Sequence, residues 1–364
     1  MRFNILAAGR WPLAAGRWPL AAGRWPLAPV MRRIIDRIRI REGFRDVRAR
    51  FPSSVDGARP RRVGAGLMGE VGEAVCAGVR LVATAAGDLL ARIETPLAEA
   101  LVSVRRAQVL AYRPRGCAED LLFVGSRAAF RPGRERMGGV PLCWPWFGVD
   151  PDGGPIHGFA RTADWRLLDC APQSDGVVRL RLVPESGALA AWPHPCALLL
   201  EIRIGATLGL TLETRNEADH PWTLTQGLHT YLRIGASDRV RLHGLDGRCY
   251  LDKARGAPVA PCRQQGPVSA GGEEVNRIYL DAPGPLWLDD PVLGRRIRVR
   301  ARGSRTWVVW NPGATEIHRF ADDLAPEDAR RFLCVETVNT ASETLNLAPG
   351  AASRIGADYQ IETL

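Results

Sequence analysis

From about residue 85 onward, this 364-residue chain is a succession of short runs in which Val, Leu, Ile and Thr alternate with polar residues. "ALVSVRRAQVLAYRP", "VVRLRLVP", "ALLLEIRIGATLGLTLETRN", "TLTQGLHTYLRI", "RVRLHGL", "RRIRVRARGSRTWVVWNP" and "RFLCVETVN" all read this way. A period of two puts apolar side chains on one face of a strand and polar ones on the other, the pattern of half-buried antiparallel sheet. Turn chemistry separates the runs at "ESGA", "NEADHP", "LDGR", "ARGS" and "APGA". The one clear helix signal within this stretch is "APEDARRF" (325–332), where a proline and acids come early and arginines late. Many strands over one long stretch predict an all-β fold, a large sandwich or barrel of mainly antiparallel strands. There is no βαβ rhythm and no glycine-rich phosphate loop, which argues against kinases and Rossmann enzymes.

The net charge of +10 suggests nucleic acid until it is located. Residues 1–115 carry 21 Arg against 9 acids, whereas residues 116–364 are nearly neutral, with 28 basic and 30 acidic side chains. Arginine outnumbers lysine 48 to 1, Lys253 being the sole lysine, which reads as codon bias rather than a phosphate-binding device. Without a basic groove interleaved with aromatics, no nucleic-acid partner is expected. No run of about 18 apolar residues is present, so no membrane span is expected either. The eight cysteines form no C-x-x-C pair and no Cys/His cluster, so no metal site and no disulfide framework are expected. Reduced thiols and a cytoplasmic location follow.

The chain opens on three copies of "AAGRWPL" at 7–13, 14–20 and 21–27. Proline in every copy forbids a continuous helix, and the unit is too short for a solenoid. Residues 1–62 are therefore expected to be a poorly ordered basic leader, 63–84 a linker, and 85–364 the folded domain.

Polar residues on otherwise apolar strands are the informative positions. In "RFLCVETVN", Glu336 is the one carboxylate among apolar or small residues, and burying it is costly unless it is paired or used. In "TLTQGLHTYLRI", alternation puts Leu228, Thr230 and Leu232 on one face and Gly227, His229 and Tyr231 on the other. A strand histidine and a strand glutamate are each often structural, but together they are the ingredients of acid–base catalysis. "HGFAR" adds His157 and Arg161, on one side if the segment is extended; arginine suits an anionic group on a ligand or a structural ion pair. Both lie in the Gly138–Trp165 stretch, whose three tryptophans and two phenylalanines read either as core or as the wall of a binding site.

Taken in order, "GGVPLCWPWFG", "HGFARTADW", "LHTYLRI", "YLDK", "VVWNP" and "FLCVET" resemble the bacterial glucose-6-phosphate 1-epimerase branch of the aldose 1-epimerase (mutarotase) family. The resemblance covers about residues 85–364. It implies a galactose-mutarotase-like β-supersandwich with a sugar or sugar-phosphate site on its open face, a monomer, and no cofactor. It also implies His229 as general acid at the ring oxygen, Glu336 as base at the anomeric hydroxyl, Arg161 as a substrate-binding residue, and His157 in the pocket lining. Two positions depart from the family pattern. Met137 stands where an arginine usually precedes Gly-Gly, and Asn276 where an aspartate usually binds sugar hydroxyls. A weaker preference for the phosphorylated sugar is the consequence expected. Action on a non-phosphorylated sugar, or sugar binding without catalysis, are the alternatives.

Overall fold

The computed structural model describes residues 73–129, 135–150, 152–254, 256 and 260–364. The expected leader lies outside them, as does the first part of the expected linker. In chain order the first strands are β1 (Glu73–Cys76), β2 (Val79–Ala83), β3 (Leu89–Glu94), β4 (Ala98–Ser103) and β5 (Gln108–Pro114). They form a five-stranded antiparallel meander, so strand structure begins twelve residues before the boundary expected at 85.

Next come β6 (Leu142–Cys143), β7 (Trp165–Pro172), β8 (Val178–Pro184), β9 (Cys196–Ile204), β10 (Leu208–Asn216), β11 (Trp222–Leu224), β12 (Gln226–Leu228) and β13 (Tyr231–Arg233). The rest are β14 (Arg241–His243), β15 (Cys249–Asp252), β16 (Cys262–Arg263), β17 (Val275–Tyr279) and β18 (Leu286–Asp290). They are followed by β19 (Arg295–Arg302), β20 (Thr306–Asn311), β21 (Phe332–Asn339), β22 (Leu345–Leu347) and β23 (Ala352–Thr363). One large sheet runs β14-β18-β19-β23-β10-β9-β8-β7; the other runs β16-β15-β17-β20-β21-β12-β6, with β13 also on β21.

The two large sheets share one core. Leu200, Ile202, Leu210, Leu212, Ile355 and Tyr359 come from the first, and Leu228, Leu232, Trp307, Val309, Leu333 and Val335 from the second. A hydrogen bond of 2.5 Å between Thr230 Oγ1 and the Tyr359 hydroxyl ties the sheets together inside it. With the odd-numbered residues of β21 turned into this core, alternation turns Cys334 and Glu336 to the opposite face. The all-β expectation holds.

Two local expectations do not. "APEDARRF" forms only a 3-10 turn, Pro326–Arg330. Its acid is spent on capping: Asp328 Oδ2 accepts from the main-chain N of Ala325 and from the N and Oγ of Ser126. The segment ends where β21 begins at Phe332. The thiols are not all reduced: Cys76 of β1 and Cys170 of β7, 94 residues apart, form a disulfide. Sequence spacing concealed it, because the pair meets only when the meander folds against the first large sheet. Among the described residues, no helix is long and apolar enough to cross a membrane.

Candidate active site

His229 and Glu336 face each other across the second large sheet. The antiparallel register pairs Leu228 with Thr337 and Tyr231 with Cys334, which sets His229 opposite Glu336 between them. Directly opposed residues project to the same side. His229 Nε2 lies 3.6 Å from Glu336 Oε1. The residues are 7% and 1% exposed. Neither His229 Nδ1 nor Glu336 Oε2 has a hydrogen-bond partner, so buried polar capacity is left open on both members of the pair.

Aromatic rings frame the pair. The His229 ring stacks on Tyr231 at 4.9 Å and meets Trp310 edge-on at 6.0 Å and His157 edge-on at 5.2 Å. Phe147 packs on the far side of His157 at 4.8 Å. The tryptophan-rich stretch is thus divided. Trp144 and Trp165 are core, while Phe147 and His157 reach the site.

His157 and Arg161 do reach the same place, though not along an extended segment. His157 has a φ of +63° and Gly158 one of +73°, and the chain turns through both. His157 Nδ1 accepts from the main-chain N of Gly148 at 3.0 Å, which leaves Nε2 as the protonated nitrogen of its neutral ring. Burial, helped by Arg161, pushes its pKa down to about 3, so it stays a neutral donor.

Arg161 Nη2 donates to the Ile156 carbonyl at 2.7 Å, and its Nε lies 3.4 Å from Glu135 Oε1. Its charge still acts on both members of the pair. Burial pushes Glu336 well above the ordinary carboxylate range, with Arg161 opposing. Burial likewise pushes His229 well below the ordinary imidazole value, and His157 and Arg161 add to the effect. Both shifts favour the uncharged forms, a protonated carboxyl and a neutral imidazole. The buried pair holds one proton between its two members.

Asn276 is on the same face of the same sheet. The register aligns Asn276 with Trp310, Trp310 with Cys334, and Cys334 with Tyr231, one row along from Glu336 and His229. It lines a cleft of about 490 Å³ with Lys253, Glu274, Glu316, His318 and Arg319. His229 and Glu336 do not line that cleft; the Trp310 column stands between. Met137 packs against the cluster that holds Tyr231, Phe332 and Cys334. Arg136 beside it turns away, donating from Nε to the Ala128 carbonyl at 3.0 Å.

Three contributors escaped the sequence. Glu135 had no signal, being one charge in a charged run. Trp310 was legible only as a strand aromatic. Cys334 could have been found, since it sits two residues before Glu336 and must share its face.

The family model described as aldose 1-epimerase matches residues 109–360. An Escherichia coli K12 protein named "Putative glucose-6-phosphate 1-epimerase" is 32% identical over 254 residues, covering 69% of this chain and 83% of that one. A Salmonella typhimurium protein of the same name is 30% identical over 252 residues, covering 68% and 81%. The crystal structure of "a putative mutarotase (YeaD) from Salmonella typhimurium" superposes with a TM-score of 0.74 at 25% identity, covering 82% of this chain and 97% of that one.

Proposed function

This chain belongs to the aldose 1-epimerase family, an isomerase family, and we propose that it interconverts the α and β anomers of a hexose or hexose 6-phosphate by proton transfers at His229 and Glu336. The single observation that carries this is the pair itself: a buried imidazole and a buried carboxyl 3.6 Å apart, each with an open polar atom. Anomerisation needs an acid and a base at once, and a pair sharing one proton is both.

The reactive form is the tautomer with the shared proton on His229 and Glu336 ionised: Glu336 takes the proton from O1 while His229 gives its own to the ring oxygen O5, and the C1–O5 bond breaks to leave an open-chain aldehyde. Rotation about C1–C2 presents the other face of the carbonyl. Ring closure reverses both transfers, which restores the pair. Arg161 favours the carboxylate form of Glu336 during this exchange, and the neutral His157 donor suits a sugar hydroxyl.

The substrate's phosphorylation is proposed from the names of the relatives, and Met137 favours the non-phosphorylated alternative. A methionine packed into an apolar cluster holds no phosphate.

Exchange NMR on free and 6-phosphorylated hexoses tests the reading. His229→Ala and Glu336→Gln are each expected to slow anomerisation by at least about a hundredfold, the span of a positioned acid or base. A variant that keeps the wild-type rate with its fold intact removes that residue from the mechanism. Sugar binding without any acceleration by the wild type would make the protein a sugar binder.

A further inference from the structure

His229, Cys334 and Glu336 each present one ligand atom, and the three atoms lie within 4.8 Å of one another. All three residues are buried. Cys334 and Glu336 are two apart on one strand and His229 lies across from them, so the sheet itself holds the three together. We propose that this cluster is a binding site for a thiophilic divalent cation, Zn2+ above all, and that the bound ion competes with the sugar.

The donor set is the first argument. Imidazole, thiolate and carboxylate are the ligands zinc takes, and three protein ligands with a fourth position left for a water or substrate is its arrangement at catalytic sites. Bond lengths of about 2.0–2.3 Å put tetrahedral ligand atoms roughly 3.3–3.7 Å apart. The 3.6 Å between His229 Nε2 and Glu336 Oε1 already meets that. The thiol has about an ångström to travel, within the reach of a side-chain rotation.

Charge is the second argument. A zinc ion with one thiolate, one carboxylate and one neutral imidazole is electroneutral, which a buried site tolerates where a lone ion would not be. Binding releases the thiol and carboxyl protons to solvent. Arg161, whose charge acts on both His229 and Glu336, opposes the ion, and Glu135 Oε1 at 3.4 Å from its Nε offsets it.

Competition follows from the atoms used. The ion takes Nε2 and a carboxylate oxygen, the same atoms that the proposed mechanism assigns to acid and base, and this part rests on that reading.

The test uses the full chain and Co2+ as a spectroscopic stand-in for zinc. Titration is expected to raise a thiolate-to-cobalt charge-transfer band and the visible absorption of a tetrahedral ion, both bleached by Zn2+ and by a chelator. In Cys334→Ala the charge-transfer band is expected to vanish, whereas in Cys143→Ala, which removes another buried thiol, it is expected to persist. In exchange NMR, Zn2+ is expected to slow the wild type, with added sugar relieving it. Cys334→Ala, compared with its own metal-free rate, should need at least about tenfold more Zn2+, the loss of a soft thiolate ligand.

No charge-transfer band in folded wild type, or a band that survives Cys334→Ala, overturns the site. If Cys334→Ala does not fold, His229→Ala serves the same purpose and should lose the tetrahedral absorption. The cobalt titration needs no turnover, so a protein that binds the ion but never anomerises a sugar would refute the function proposed above and not the site. Inhibition that sugar does not relieve refutes the competition.

Discussion

A pair of residues sharing one proton has a characteristic pH response. Activity requires one proton on the pair, so it falls on the acid side when a second proton arrives and on the alkaline side when the last one leaves. Burial lowers His229, which moves the acid limb below the ordinary imidazole value of 6.5. It raises Glu336, which moves the alkaline limb well above the ordinary carboxylate value of 4.5. The two shifts pull the limbs apart, and the anomerisation rate is expected to hold over a wider pH range than an exposed imidazole and carboxyl would give. A rate–pH profile with one limb centred on the value of an exposed histidine would contradict this. The proposed effect of Met137 on substrate choice is tested at the same scale. Met137→Arg is expected to tighten binding of the 6-phosphorylated sugar by about 1–3 kcal/mol, typical of a hydrogen bond to a charged group, and to leave the free sugar nearly unchanged. Calorimetry with both ligands on both proteins at one ionic strength decides it. Strong discrimination by the wild type, weakened by the substitution, would show another cation holding the phosphate.

At the scale of elements, the turn through His157 and Gly158 matters more than its length suggests. Arg106, in the turn between β4 and β5, fixes the far end of that segment. Its Nη1 donates to the Ala163 carbonyl at 2.8 Å and its Nη2 to Asp164 Oδ1 at 2.7 Å. Gly158 fixes the near end. A Cβ there would fall 2.0 Å from the Trp144 carbonyl oxygen, at a φ of +73° that other residues rarely adopt. Gly158→Ala is therefore expected to cost at least about 1–3 kcal/mol and to slow anomerisation by displacing His157 and Arg161. Chemical denaturation and exchange NMR check the two effects, and wild-type values in both would refute the argument. The strands around this turn were legible because alternation is a local property. Their pairing was not, because register between β13 and β21 is set by packing over a long stretch of chain. Thus His229 and Glu336 stood out one by one, as polar residues on apolar strands, while their opposition did not. The 3-10 turn at Pro326–Arg330 was misread as a helix because capping chemistry looks the same at both lengths. Cys76 and Cys170 were misread because no local spacing announces a bond between two sheets.

For the whole molecule, every described strand lies at or beyond Glu73, and the family match lies within 109–360. The +11 charge of residues 1–62, from 15 Arg and 4 acids, has no counterpart in the nearly neutral remainder. A chain begun at Gly64 is expected to keep its fold and its anomerisation rate, measured by circular dichroism and exchange NMR. Loss of either would make the basic segment part of the working protein.

The opposition of His229 and Glu336 across a hydrogen-bonded ladder also divides what can vary in this protein from what cannot. Sliding one strand by a single residue would turn its side chain to the other face, and sliding by two would carry it about 7 Å away. The spacing of the two side chains is therefore quantised, with one workable value for the proton transfers proposed above. Met137 and the turn at His157 answer to no such ladder and can drift one substitution at a time. A lineage built on this sheet is free to change the sugar it accepts far more readily than the reaction it performs.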